Sequence, residues 1–210
     1  MGRLEKQRRI AEAAEAVFHE KGYDGATVRL IAARAGVATG TIFQFAPDKR
    51  SLLLLIFGRT LELLAERAFA TLDRRASLVD QFLHIFRKRY GFFHDDIDLA
   101  RRVVGELAAF PRVEPKDPGS PFAQYLASRA ATRAKIATIV AELQRAGRVD
   151  HAIDPQDITD MAVAILTTEI REWLTAPRPS VAVGLKRLRK MLALALSGVA
   201  REGNYRYERT

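Results

Sequence analysis

The sequence predicts an all-α protein of about nine helices. Three observations lead to this prediction. Apolar residues recur at the three- and four-residue spacing of one helix face in successive segments, from Ile10 to Val199. Glycines end or separate these segments, as Gly22, Gly36 and Gly147 do. With 210 residues, 48% of them apolar, the chain is long enough and apolar enough to bury a core.

Composition restricts the class of protein further. The chain contains no cysteine, which excludes disulfides, thiolate zinc sites and cysteine nucleophiles and fits a reducing cytoplasm. Charged residues interrupt the N-terminal segment and no apolar run reaches spanning length, so we expect a cytoplasmic protein without a signal peptide or a membrane partner. The formal net charge of +9 favours a polyanionic partner. The sequence has no glycine-rich phosphate loop, nucleophile elbow or His/Glu metal pair, so it predicts neither an enzyme nor a cofactor.

The first three predicted helices form a compact N-terminal group. The first covers residues 8–21, and the second ends at Gly36, where the chain must reverse. The third covers residues 39–45, with Ile42 and Phe45 turned inward. Two short helices joined by a turn that contains glycine are typical of the helix-turn-helix unit, whose second helix enters the major groove of DNA.

Small and polar residues of this unit are the candidates for DNA contact. Thr39, Gly40 and Thr41 lie in the first half of the recognition helix, where side chains reach base edges. Threonine can contact a base, a phosphate or a thymine methyl group, and Gly40 would allow the backbone to approach closely. Gln44 is a candidate for adenine or phosphate. Arg29 is a candidate for phosphate, and a solvated surface arginine is an equal alternative.

A longer pattern extends the motif. It consists of Arg8-Arg9-Ile10, Ala13-Ala14, Phe18, Lys21-Gly22-Tyr23, Thr27, Ile31-Ala32, Ala35-Gly36-Val37, Gly40-Thr41-Ile42-Phe43, Phe45 and Lys49. This pattern resembles the N-terminal DNA-binding domain of the TetR family of transcriptional regulators. The resemblance implies a homodimeric, ligand-responsive repressor, with a helix-turn-helix domain in residues 1–47 and a helical effector-binding and dimerisation domain in residues 48–210.

The resemblance also implies roles for individual residues. Lys49 matches the family lysine that binds a phosphate at the start of the fourth helix, where free backbone N–H groups also favour an anion. Phe43 and Phe45 stand where relatives often carry phosphate-binding Tyr or His, a contact that phenylalanine cannot make. The complete predicted DNA-binding set is Arg29, Ala38, Thr39, Gly40, Thr41, Phe43, Gln44, Phe45 and Lys49.

Six further helices are expected in the larger domain. They cover residues 47–75, 78–94, 98–110, 122–146, 155–176 and 179–200, with Asp154 as the cap of the eighth helix. The proline-rich segment 111–121 is expected to be a loop that could serve as a mobile flap, and the tail with Tyr205 and Tyr207 to be frayed.

Aromatic residues on the inner faces of these helices could line an effector pocket, although a packed core is the more common cause of such a stripe. We expect a mainly apolar pocket for a hydrophobic or aromatic small molecule. A buried Glu169 could pair with Arg129 or meet a cationic ligand. The predicted lining is Phe82, Phe86, Tyr90, Phe93, Phe122, Tyr125, Arg129, Glu169 and Trp173.

The last two helices are apolar enough to form a two-fold four-helix interface in a homodimer, with intramolecular packing as the alternative. The predicted interface residues are Ile165, Ile170, Leu185, Leu188, Leu192 and Leu196. The leading hypothesis is therefore a repressor that binds double-stranded DNA at a palindromic operator and is released by a ligand. A DNA-binding factor without an effector and a helical-bundle enzyme are the alternatives.

Overall fold

The computed structural model describes residues 2–108 and 119–197. Over these residues the chain forms nine α-helices and no β-strand, which confirms the predicted fold class. The helices are α1 (Arg3–Gly25), α2 (Val28–Ala35), α3 (Thr39–Phe43), α4 (Lys49–Ala70), α5 (Leu78–Asp95), α6 (Ile97–Ala108), α7 (Pro121–Arg145), α8 (Pro155–Thr175) and α9 (Val181–Leu196). None of the helices in this described part combines the length and the apolar content that crossing a bilayer requires.

Local signals determine where the first helices begin and end. Gly22 interrupts α1 with a φ of 67°, so the regular helix stops at the residue predicted to follow its end. Thr27 caps α2, because its hydroxyl accepts a hydrogen bond from the Leu30 N–H at 3.2 Å. Gly36 ends α2 in the left-handed region, with a φ of 63°. The chain therefore reverses between α2 and α3 at the predicted position.

A small apolar core holds these three helices together. α1 packs against α2, and α2 packs against α3. Ile10 and Phe18 from α1, Ile31 from α2 and Ile42 from α3 are all almost completely buried. Each such side chain contributes roughly 1.5–3 kcal/mol through burial. The burial of Ile42 fixes the rotation of α3, and this rotation decides which of its residues face outward.

Helix α4 is shorter than predicted. It ends at Ala70 instead of near residue 75, and the side chains of Arg148 and Gln81 hold the segment that follows. The Arg148 guanidinium donates to the carbonyl oxygens of Arg74, Arg75 and Ala76 at 2.8–3.0 Å. The amide of the buried Gln81 donates to the Arg74 and Ala76 carbonyl oxygens at 3.2 and 2.8 Å. Because these carbonyls have partners, the chain can leave the helix without losing hydrogen bonds.

Helices α8 and α9 pack against each other. As predicted, Asp154 caps α8, since its carboxylate accepts from the Gln156 N–H at 2.7 Å. The Trp173 indole donates to the Ser180 carbonyl oxygen at 2.9 Å, which ties the end of α8 to the residue before α9.

The chain divides into two compact units. One consists of Met1–Leu63 and Asp95–Arg129, and the other of Leu64–His94 and Ala130–Thr210. This grouping by packing does not test a functional boundary after residue 47, which stays a prediction. Several expectations fall outside the described residues, namely the end of the sixth helix at Phe110, the flap residues Pro111, Pro115 and Pro118, Val199 of the last apolar stripe, and the tail with Tyr205 and Tyr207.

Candidate nucleic-acid interface

The outward face of α3 carries no charged residue. Ile42 is fully buried and Ala46 is 1% exposed, which turns the opposite side of the helix towards solvent. Thr39, Gly40 and Phe43 are exposed on that side, as is Gln44 at the end of the helix. The helical repeat places residues 39 and 43 one turn apart on the same side. Four of the predicted DNA-binding residues thus share one surface, which we call the reading face. It consists of Thr39, Gly40, Phe43 and Gln44.

Open space surrounds Gly40 on the reading face. A Cβ atom built at this position would meet no heavy atom within 4 Å, and its φ is not in the left-handed region. The protein itself therefore gives no steric reason for glycine here. A glycine at a site with free space above it lets another molecule approach the backbone closely.

The other predicted residues near α3 have different environments. Ala38 is exposed, Thr41 is partly exposed, and Phe45 is half-buried rather than fully turned inward. Phe45 remains half-buried because α3 ends at Phe43, and the hydrogen bond from the Phe45 N–H to the Ile42 carbonyl oxygen closes a tighter turn there. Phe45 consequently offers less surface to DNA than Phe43, which is 51% exposed.

The structure distinguishes the two arginines of α2. Arg34 forms an ion pair with Glu20 of α1, with its Nη1 2.6 Å from a carboxylate oxygen. Arg29 is exposed and has no ion-pair partner within residues 2–108 and 119–197. A free guanidinium is better able to bind a phosphate than one already neutralised by a carboxylate. The structure thus favours Arg29, the arginine in the predicted set, over Arg34.

Lys49 occupies a more internal position than a simple phosphate contact requires. Its Nζ donates to the carbonyl oxygens of Tyr23, Asp24 and Ala26 at 2.8, 3.5 and 3.2 Å. It also lies 4.4 Å from the centroid of the Tyr23 ring. An ammonium group has three N–H donors, so these carbonyls use its full capacity. A contact with phosphate would require at least one of these bonds to be exchanged, and this role of Lys49 stays a prediction.

Arg9 supports the turn of the motif, a role that sequence reasoning missed. Its Nη2 donates to the Ala35 carbonyl oxygen at 2.6 Å, which caps the end of α2 from α1. A Cβ atom at Gly36 would lie 2.6 Å from the same nitrogen. Gly36 is therefore needed both for its positive φ and for the space that Arg9 fills. The only signal in the sequence was that Arg9 belongs to the family-like pattern.

Tyr23 connects α1 with α4 and α6. The Arg102 guanidinium lies 4.6 Å from its ring centroid, and Lys49 contacts the same ring. Burial is the main cause of a raised pKa for the Tyr23 hydroxyl, and the negative charge of Glu106 raises it further. Glu106 in turn forms ion pairs with Arg50 at 2.8 Å and Arg102 at 3.3 Å. Neutral, packed Tyr23 thus sits in a network of cations from two other helices.

Five of the predicted effector residues form a packed core in the unit that contains α5, α8 and α9. Phe82, Phe86, Tyr90, Phe93 and Trp173 are all at most 7% exposed. The rings of Phe82 and Phe86 are 5.9 Å apart, and those of Tyr90 and Trp173 are 5.0 Å apart. A Cβ atom at Gly184 of α9 would lie only 2.6 Å from the Tyr90 ring and 2.9 Å from the Trp173 ring. This contact is tight, as a core stripe requires.

Two polar groups lie within this core. Glu169 is 4% exposed, and its carboxylate accepts from Arg187 Nε of α9 at 2.7 Å. The cation paired with Glu169 is thus Arg187 and not Arg129, one of the partners considered from the sequence, because the neighbouring helix supplies a long cation that reaches the acid from the surface. The Tyr90 hydroxyl is buried without a hydrogen-bond partner in the described part of the chain. Burial raises the pKa of Tyr90, and the nearby charge of Glu169 raises it further.

The remaining predicted effector residues lie in the other unit. Phe122 is half-buried, Tyr125 is buried, and Arg129 Nη1 donates to the Tyr125 hydroxyl at 3.0 Å. Tyr125 lines a cavity of about 160 Å³ among residues of α1, α4 and α7, including Gln7, Gly58 and Arg59. Within residues 2–108 and 119–197, no cluster of three acidic or histidine side chains is arranged to hold a metal ion.

The predicted interface residues of α8 and α9 point largely into their own unit. Ile170, Leu188, Leu192 and Leu196 are at most 3% exposed, whereas Ile165 and Leu185 are half-buried. Those four buried side chains pack against the protein's own helices and are not available to a partner, whereas a self-interface elsewhere on these helices stays a prediction. The large apolar side chains that α9 exposes most are Val183, which is 65% exposed, and Leu194, which is 43% exposed.

The fold and this surface define the class of protein. A short α2 and α3 around a glycine turn, supported by α1 and followed by six longer helices, are an all-α helix-turn-helix arrangement. Residues 10–56 match the sequence model for "Bacterial regulatory proteins, tetR family", a segment that spans the whole motif and the start of α4. This N-terminal segment is therefore similar to the DNA-binding part of TetR-family regulators.

Curated relatives match part of the chain. The HTH-type transcriptional repressor KstR of Mycolicibacterium smegmatis is 38% identical over 72 residues, which cover 34% of this chain and 33% of KstR. The fatty acid metabolism regulator protein of Bacillus subtilis is 30% identical over 95 residues, which cover 45% of this chain and 49% of that protein. The matched segments thus span between a third and a half of these relatives.

Solved structures share the fold over most of the chain. Bacillus subtilis FadR in complex with stearoyl-CoA has a TM-score of 0.66 at 21% identity, covering 88% of this chain and 96% of FadR. Thermus thermophilus FadR in complex with lauroyl-CoA has a TM-score of 0.67 at 24% identity, covering 89% and 92%. A transcriptional regulator from Saccharomonospora viridis in complex with choline has a TM-score of 0.62 at 20% identity, covering 93% and 98%.

Proposed function

We propose that this protein is a transcriptional repressor that binds a specific DNA sequence through the reading face of α3. One observation carries the proposal. The recognition helix exposes an uncharged surface with free space above Gly40, inside the segment that matches the TetR family model. Such a surface suits contact with base edges in a major groove. Arg29 and the net charge of +9 supply the electrostatic attraction to the phosphate backbone.

The repressor acts as a homodimer in this proposal. Two copies of α3 would enter successive major grooves about 34 Å apart, so the operator would be a palindrome. The surface of α9 supports a self-interface, because it exposes the apolar side chains of Val183 and Leu194. These two residues replace the buried leucines of α9 as the apolar contacts that we expect between protomers.

An acyl-CoA thioester is the effector class that we propose for release from DNA. Two proteins of this fold are complexes with stearoyl-CoA and lauroyl-CoA, and a relative that matches 45% of this chain is named a fatty acid metabolism regulator. An acyl chain matches the apolar composition of the bundle, and the thioester's phosphates match the basic balance of the chain. The coupling between effector and DNA need be only about 1–3 kcal/mol.

A selection experiment tests the DNA-binding proposal. The full chain is incubated at fixed moderate salt with a library of random-sequence duplexes, and the bound fraction is sequenced over several rounds. We expect a palindrome with half-sites about 10 base pairs apart. Weak binding with no enriched motif and a steep salt dependence would contradict the proposal. It would mean that the protein binds DNA only through its positive charge.

A release experiment tests the effector proposal separately. The complex with the selected operator is titrated with lauroyl-CoA and stearoyl-CoA, and CoA alone, lauric acid and choline serve as controls. We expect only the thioesters to weaken operator binding.

The tight packing of Tyr90 and Trp173 around Gly184 favours a second candidate, a DNA-binding factor that needs no effector. Unchanged operator affinity with all five compounds would support that candidate and contradict release by acyl-CoA.

A further inference from the structure

Phe43 is the large apolar residue on the reading face. Its side chain is 51% exposed, and it has no ring or cation partner in the described part of the chain. Single exposed apolar residues are normal on protein surfaces and need no explanation by themselves. Phe43 differs from them in its position, because it lies one turn after Thr39 on the helix that the proposed function inserts into DNA.

The chemistry of the reading face leaves few ways to recognise a base. Helix α3 contains no charged residue, and the groups of the face that can form hydrogen bonds from a side chain are Thr39 and Gln44. The bidentate contact of arginine with guanine, a frequent means of specific recognition, is absent from this helix. A phenyl ring can neither donate to nor accept from a base edge in this way.

The major groove offers an apolar ring one matching feature. Among the four bases, thymine alone carries a C5 methyl group in this groove, and phenylalanine is one of the side chains that pack against it. Burying such a methyl against an exposed ring removes apolar surface of both partners from water. Cytosine carries only a hydrogen atom at C5 and gives the ring no methyl group to contact.

We propose that Phe43 determines specificity by reading a thymine through its C5 methyl group. The inference rests on the proposed function and adds to it the identity of a base and of the residue that recognises it. We expect one such thymine in each half-site of the operator. Discrimination at this position then comes from a methyl contact rather than from a hydrogen bond.

Replacing thymine by deoxyuridine tests this idea on the unmodified protein. The exchange removes only the methyl group and preserves every hydrogen-bonding group of the base. Each thymine of the selected operator is replaced in turn, in both half-sites, and the affinity of the full chain is measured at one salt concentration. We expect one symmetric position at which the exchange lowers affinity by about fourfold per half-site, the value of one buried methyl group. An operator that tolerates uracil at every position would overturn the inference while leaving the proposed function intact.

Variants of the protein assign the effect to one residue. In Phe43→Ala we expect weaker binding and equal affinity for the thymine and uracil operators. In Phe43→Leu, which keeps an apolar side chain, we expect the difference to persist. Leu30→Ala is the matched control, because Leu30 is 45% exposed on α2 and lies off the reading face. A thymine preference that persists in Phe43→Ala, or that disappears in Leu30→Ala, would overturn the assignment. If the selection enriches no operator, that result contradicts the proposed function, and the inference about Phe43 is overturned with it.

Discussion

Replacing Gly40 by alanine should change folding stability and DNA binding in opposite directions. The residue lies in a helix, its φ is outside the left-handed region, and an added methyl group would have no heavy atom within 4 Å. Alanine therefore causes no clash within the protein. It also lowers the conformational entropy of the unfolded chain, which favours the folded state.

The size of each effect follows from this environment. Alanine is preferred to glycine by up to about 1 kcal/mol in the interior of a helix. Helix α3 has five residues and Gly40 is near its start, so we expect a gain of about 0.5 kcal/mol. In the complex, the added methyl group occupies the space that DNA would fill. Overpacking at a close contact costs about 1–3 kcal/mol, which corresponds to a loss of roughly five- to 150-fold in operator affinity.

Two assays and one control separate these effects. Urea unfolding measures the free energy of unfolding, and binding to the selected operator at fixed salt measures affinity. Gly105→Ala is the matched control, because Gly105 lies in α6, has no neighbour within 4 Å and is far from α3 in sequence. We expect it to stabilise the fold and leave DNA binding unchanged. Undiminished operator affinity in Gly40→Ala would refute the idea that DNA approaches this backbone.

Four other changes test the remaining parts of the structure. Gly184→Ala should lower the free energy of unfolding by about 1–3 kcal/mol, measured in urea, because its methyl would clash with buried rings. Tyr90→Phe should leave that energy unchanged or raise it by up to about 1 kcal/mol, since the lost hydroxyl has no partner in the described residues. Arg29→Ala should weaken binding to operator and random DNA alike and reduce the salt slope by about one, whereas the ion-paired Arg34→Ala should have a smaller effect. Lys49→Met should lower the melting temperature, because three backbone carbonyls lose their donor; an unchanged melting temperature would mean that Lys49 is free for phosphate.

The parts of the fold that sequence predicted well depend on local signals. Gly22 and Gly36 occupy left-handed conformations that glycine adopts without steric cost, and Asp154 caps α8 within its own first turn. The inward position of Ile42 follows from helical spacing alone. Once these positions are known, the outward side of α3 follows, and most of the reading face could therefore be predicted.

The parts that sequence did not predict depend on partners distant along the chain. Arg9 reaches Ala35 across 26 residues, and Arg148 reaches the carbonyls after α4 across more than 70. No periodicity indicates that a particular arginine will cap a distant helix. Glu169 illustrates the same limit, because its burial was predictable from its helix face whereas the identity of its partner, Arg187, was not.

The predicted self-interface shows a different limit. An apolar stripe on α9 reveals that something packs against it but not which molecule supplies the packing. In the structure, Leu188, Leu192 and Leu196 pack within their own unit. The exposed apolar side chains of the same helix, Val183 and Leu194, stand apart from the buried stripe, and fractional exposure was needed to find them.

The ratio of affinities for the selected operator and for a scrambled duplex of equal length and composition tests the central claim most directly. Both are measured with the full chain in the same buffer at physiological salt. Specific recognition through the reading face predicts a ratio of about 10³ or more that falls markedly in Gly40→Ala. A ratio near one that Gly40→Ala leaves unchanged, with both affinities falling steeply as salt rises, would mean that the chain binds DNA only through its charge.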